Sequence, residues 1–77
     1  MEIHLQLYSI LREKLPPELK GQTVLQLDGG ASLQDLLDKF DISRRVVISL
    51  DGTHELDMSR QLQDGDRVKI FSSISGG

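Results

Sequence analysis

Apolar and polar residues alternate from the start of the chain. In "EIHLQLYS", Ile3, Leu5 and Leu7 fall on one side and His4, Gln6 and Tyr8 on the other. A period of two describes a strand with one buried face. "ILREKLPPE" then has room for one helical turn before Pro16 and Pro17 stop it. "QTVLQLDGG" alternates again, with Thr23, Leu25 and Leu27 in phase, Val24 on the opposite face, and a turn at Gly29 and Gly30. The period changes in "ASLQDLLDKFD". Leu33, Leu36, Leu37 and Phe40 follow the i, i+3, i+4, i+7 spacing of one helix face, which predicts a helix over 32–40. Ser32 is its N-cap, and Asp35 stands where the capping box usually has Glu.

The second half returns to strands. "RVVISLDGTHEL" reads as a strand, an Asp-Gly turn and a short extended piece, the usual hairpin signal. "SRQLQDGD" is a loop with a second Asp-Gly. "RVKIFS" is the last strand, with Val68 and Ile70 on one face and Arg67, Lys69 and Phe71 on the other. One helix and one sheet can bury their apolar faces only against each other. The expected fold is an α+β roll, a mixed sheet packed on one main helix. Its expected core is Leu5, Leu7, Leu25, Leu27, Leu33, Leu36, Leu37, Phe40, Ile48, Leu62, Val68 and Ile70. Residues 1–71 form the domain, and residues 72–77 form a flexible tail.

Composition narrows the function. Seventy-seven residues allow one small domain. Hydrophobic residues at 38% and charged residues at 27% are in ordinary balance. No apolar run is long enough to span a membrane, and the start lacks the basic region of a signal peptide, so a cytoplasmic location is expected. The net charge of −3 argues against nucleic acid as a partner. "SRR" at 43–45 is the only dense basic cluster. There is no Cys, hence no disulfide, zinc-thiolate site or thiol nucleophile.

The body of the chain carries few residues in reactive patterns. His4 and His54 have no second ligand at helical spacing and read as surface residues. Ser72, Ser73 and Ser75 lack a nucleophile elbow. "DGGAS" has neither a dinucleotide-binding pattern nor the Lys of a phosphate-binding loop. Asp64 and Asp66 flank a tight turn and suit it without any acid–base role. No metal site, bound cofactor or autonomous active site is expected. Attention moves to "SSISGG". The Gly77 carboxylate is a reactive handle if an enzyme can reach it, and attack on it needs a near approach. Gly76 and Gly77 carry no side chain to obstruct that approach. Phe71, out of phase with the core residues of its strand, is expected on the outer face as an aromatic anchor for a partner, with Ile74 and Ser75 adding contacts from the tail.

The chain resembles the ubiquitin-like sulfur carriers, the family that includes the small subunit of molybdopterin synthase and the thiamine sulfur carrier. The resemblance lies in the opening strand with "LYSILREKL", the "LDGGASLQDLL" strand-to-helix unit, "LQDGDRVKIF" and the terminal Gly-Gly. Many members have Pro-Pro or Phe-Pro where this chain has Ser72 and Ser73. Length and "LREKL" favour the molybdopterin type. The resemblance implies a ubiquitin-like β-grasp roll in which the last strand pairs with the first. It also implies adenylation of the Gly77 carboxylate by an E1-like enzyme, which would hold the ATP and Mg²⁺. A sulfur donor protein would convert the adenylate to a thiocarboxylate, used with the large catalytic subunit of molybdopterin synthase. The alternatives are a thiamine sulfur carrier, a protein modifier joined through Gly77, and a plain interaction domain.

Overall fold

The computed structural model describes residues 1–42 and 46–72. Its strands are β1 (Glu2–Leu7), β2 (Gln22–Gln26), β3 (Val46–Leu50), β4 (Thr53–Glu55) and β5 (Arg67–Ser72). The helix α1 (Leu33–Lys39) lies between β2 and β3, and 3₁₀ segments occupy Ser9–Lys14 and Pro17–Leu19. The sheet order is β2-β1-β5-β3-β4. The first and last strands are adjacent and parallel at its centre, while every other pair is antiparallel. This is the ubiquitin-like β-grasp arrangement. β5 runs to Ser72, one residue past the expected domain boundary, because Ser72 still pairs with Val46.

Local chemistry accounts for each element's limits. The Asp35 N–H donates to Ser32 Oγ at 3.2 Å, and the Ser32 N–H donates to Asp35 Oδ2 at 2.9 Å, so the capping box closes with Asp in the Glu position. The loop ahead of β5 supplies the other first-turn acceptors. Leu33 N–H bonds the Arg60 carbonyl at 3.0 Å, and Gln34 N–H bonds the Met58 carbonyl at 2.9 Å. With these bonds the first three helical N–H groups have acceptors. A helix of this length is marginal alone, so packing and this loop hold it. Between β3 and β4, Asp51 (φ 50°) and Gly52 (φ 87°) both take positive φ, as a type I′ hairpin turn requires.

One hydrophobic cluster joins sheet and helix. Leu5, Leu7, Leu33, Leu36, Leu37, Ile48, Leu62, Val68 and Ile70 are buried as expected. Leu25, Leu27 and Phe40 are only half-buried at its margin, a correction to the expected core. Leu25 and Leu27 belong to the edge strand and its exit, and Phe40 caps the helix C-terminus, so each has neighbours on one side only. Ile3, Leu11, Leu15, Ile42 and Leu50 complete the centre. Leu11 is brought in by the 3₁₀ segment, which is longer than the single turn expected, and Leu15 follows at its C-cap.

Gly21 is the tightest backbone contact. It takes φ +79°, and a Cβ there would lie 2.6 Å from the Leu7 carbonyl oxygen. That approach places the Gly21 carbonyl 2.7 Å from the Leu7 N–H and starts the β1–β2 ladder. Gly21→Ala combines an unfavourable φ with a backbone collision and should lose about 1–3 kcal/mol of stability. Urea unfolding measures this; an unchanged midpoint would show that the strand entry relaxes freely.

Candidate functional site

The alternation of β5 decides which side chains stand on the open face of the sheet. Val68 and Ile70 enter the core, while Arg67, Lys69 and Phe71 face outward. The parallel register with β1 pairs Leu7 with Ile70, and Tyr8 N–H continues it by donating to the Ile70 carbonyl at 3.1 Å. Tyr8 is thereby set beside Phe71. Their rings stack with centroids 4.2 Å apart and planes inclined by 13°. On the other side of Phe71, β3 presents Val47 at the directly paired position. Tyr8, Phe71 and Val47 are all half-buried and form an apolar row from the residue after β1 across β5 to β3. Phe71 is on the outer face, as expected, but Tyr8 covers part of it. The periodicity of β1 and β5 could place each ring outward; only their pairing register could bring the rings together.

Ser72, the last described residue of β5, follows this row directly. Ile74, Ser75, Gly76 and Gly77, named from the sequence as site residues, lie outside the described residues, as do Ser73 and the 43–45 basic cluster.

The remainder of the open face is mostly polar, with Leu19 and Val24 exposed near β2. Gln6 is beside Lys69, and His4 is beside Arg67. A shallow groove of about 660 Å³ lies here, with His4, Gln6, Leu19, Val24, Arg67 and Lys69 in its walls. Glu18 and Thr23 also line it. His4 Nε2 is 3.3 Å from Glu2 Oε2, with both side chains about half exposed, and His54 is exposed. Among the described residues, no three His, Cys, Asp or Glu side chains converge as a metal site. No described helix is long and apolar enough to cross a membrane.

The acidic residues around the last Asp-Gly are fastened into backbone. Glu2 N–H donates to Asp64 Oδ1 at 2.7 Å, Gln63 N–H to Asp66 Oδ2 at 2.7 Å, and Arg67 N–H to Asp51 Oδ1 at 2.9 Å. The first ties the start of β1 to the turn before β5, the second closes that turn, and the third ties β5 to the β3–β4 turn. Burial raises the Asp66 pKa above the ordinary carboxylate value; the neighbouring Asp51 adds to the rise, against the Gln63 N–H bond and the Arg60 charge. On exposed Asp57, the hydroxyl and N–H of Ser59 lower the pKa.

The ThiS family model matches residues 5–77. Among solved structures, the HVO 2177 protein of Haloferax volcanii superposes with a TM-score of 0.78 at 23% identity, covering 100% of this chain and 87% of that one. Small archaeal modifier protein 1 of H. volcanii gives a TM-score of 0.73 at 16% identity over 95% and 98% of the two chains. A chain in the complex of subunits 1 and 2 of molybdopterin-converting factor from Helicobacter pylori gives 0.67 at 14% identity, over 100% of both. At these identities the likeness is one of fold. No curated protein matches the sequence.

Two measurements probe this geometry. Tyr8→Ala and Phe71→Ala, alone and combined, should show a coupling of about 0.5–1.5 kcal/mol in a double-mutant cycle; strict additivity would mean that the rings do not support each other. Asp66→Asn keeps an acceptor for the Gln63 N–H and removes the proton equilibrium. A raised folded-state pKa means that the native protein binds the extra proton. Stability from this group is therefore full below the unfolded pKa and lost as pH rises through the folded one. The stability of Asp66→Asn relative to wild type should rise with pH across that window, read by urea unfolding at several pH values. A difference independent of pH would contradict the shift.

Proposed function

The chain belongs to the ThiS family, and we propose on that premise that it is a cytoplasmic sulfur carrier whose working group is the Gly77 carboxylate. The observation that supports this most directly is the extent of the family match, which runs through the end of β5 and across Gly76 and Gly77. The body of the protein adds a docking face and a strand that delivers the tail, with no catalytic constellation among the described residues.

The chemistry follows from a bare carboxylate. An oxygen of Gly77 attacks the α-phosphorus of ATP, and pyrophosphate leaves; ATP and Mg²⁺ are bound by an E1-like partner. The terminal sulfur of a donor protein's persulfide then attacks the acyl carbon and AMP leaves, giving an acyl disulfide. A partner thiol attacks the donor-side sulfur, forms a disulfide with the donor, and the thiocarboxylate leaves as the S–S bond breaks. Two residues without side chains let this end enter a narrow site, and the near-attack geometry sets the rate. The Tyr8–Phe71–Val47 row is the anchor for the activating enzyme, and the same face serves a large molybdopterin synthase subunit in turn. The fold shared with a chain of the H. pylori molybdopterin-converting factor complex supports that second partner and the molybdenum-cofactor pathway. Ile74 and Ser75 extend the contact along the tail.

Deleting Gly77 moves the carboxylate by one residue and should abolish ATP–pyrophosphate exchange with the cognate activating enzyme. Gly76→Val should also fail, because a β-branched side chain restricts backbone and access together. Both variants should unfold like wild type. Phe71→Ala should weaken enzyme binding by more than its loss of ring stacking explains. Intact-mass analysis from the native host should show one oxygen replaced by sulfur. Exchange at the wild-type rate without Gly77 would overturn the carrier reading. Higher-mass conjugates through Gly77, without a thiocarboxylate, would replace it with a modifier.

A further inference from the structure

Strand β2 is an edge of the sheet, and its backbone is half used. Met1 and Leu27 exchange both their hydrogen bonds, at 2.7 and 2.9 Å, and Leu7 N–H bonds the Gly21 carbonyl at 2.7 Å. With the register Ile3↔Leu25 and Leu5↔Thr23, the odd-numbered residues of this segment therefore turn their polar groups toward β1. The N–H and C=O groups of Gln22, Val24 and Gln26 point away from the sheet. Exposed edges are usually blunted by charge or brevity. The opposite edge, β4, has only Thr53, His54 and Glu55. Between Gly21 and Leu27, by contrast, β2 contains no charge and no proline.

The sequence of this edge is complementary to itself. We propose that β2 pairs antiparallel with β2 of a second copy of this chain, about a two-fold axis through Val24. Val24 then faces the second copy's Val24, and Gln22 faces its Gln26. Each of these pairs is of the hydrogen-bonded type, so every polar backbone group left open by the edge finds a partner. The outer face of the strand reads Gln-Val-Gln in both directions, which joins two valines on the axis and an amide pair on each side. Val24 is 52% exposed in the single chain, and this contact covers it. Charge follows the same symmetry. The two-fold axis brings the N-terminal end of one β2 to the C-terminal end of the other, so Lys20, at the left-handed C-cap just before the strand, lies at the same end of the interface as the second copy's Asp28, two residues past it. Lys20 and Asp28 are exposed, and neither has an ion-pair partner among the described residues.

The interface is one strand wide, which places the dimer among weak, transient associations. It spans two copies in one continuous sheet and leaves β5 and the Tyr8–Phe71 row open, since β1 separates β2 from β5. It stands independently of the sulfur-carrier reading.

Sedimentation of the full chain from about 10 μM to about 1 mM brackets such an affinity. The mass should rise from 8.6 kDa toward twice that value, and hydrogen exchange at the Val24 amide should slow over the same range. Val24→Lys, which sets two ammonium groups across the axis, should remain monomeric with an unchanged melt. Lys20→Glu and Asp28→Lys should each weaken the dimer by about tenfold by placing like charges together, and Lys20→Glu with Asp28→Lys in one chain should restore it. A monomer throughout the range, a dimer indifferent to Val24→Lys, a double variant no tighter than the single ones, or a mass that grows beyond the dimer would each overturn the proposal.

Discussion

The parallel pairing of β1 with β5 is the contact on which the remainder of the molecule rests. It joins the two ends of the domain, so it can form only after the intervening residues have closed a long loop. Once formed, it acts on both faces of the sheet. On the inner face it aligns Ile3, Leu5 and Leu7 with Val68 and Ile70, the centre of the buried cluster. On the outer face the same register sets Tyr8 against Phe71. A slip of one residue would turn both sets over together, exposing the core aliphatics and burying Arg67 and Lys69.

The acidic turn residues are best understood as guards of that register. Asp64 receives the Glu2 N–H and Asp66 offers its carbonyl to the His4 N–H, while Asp51 fixes the other side of β5 through Arg67. Two carboxylates and one backbone carbonyl thus align three strands at one end of the sheet. The cost is visible at Asp66, where burial beside Asp51 disfavours the charge. At the opposite end, Ser72 is the last described residue of β5 and follows the aromatic row directly.

This division separates folding from chemistry. The domain buries most of its aliphatic residues and assembles no metal-ligand cluster among the described residues; the proposed reactive group is the Gly77 carboxylate.

Much of this was legible in the sequence because it depends on near neighbours. The period of two marked β1, β2 and β5, the 3.6 spacing and capping pair marked α1, and Asp51-Gly52 marked the hairpin. Outward placement of Phe71 followed from parity with Val68 and Ile70. The family resemblance named the fold and the terminal glycines, which no periodicity could do. What lay beyond the sequence was every relation between distant segments. Leu11 and Leu15 look like parts of a broken helical turn until the sheet supplies a surface beneath them. Leu25, Leu27 and Phe40 have the spacing of core residues, yet an edge strand and a helix end leave them half covered. The Tyr8–Phe71 stack and the outward-facing groups of β2 arise from strand order and register. These are set by which pairings bury the most apolar surface at once, a property of the assembled sheet that no single stretch of chain contains.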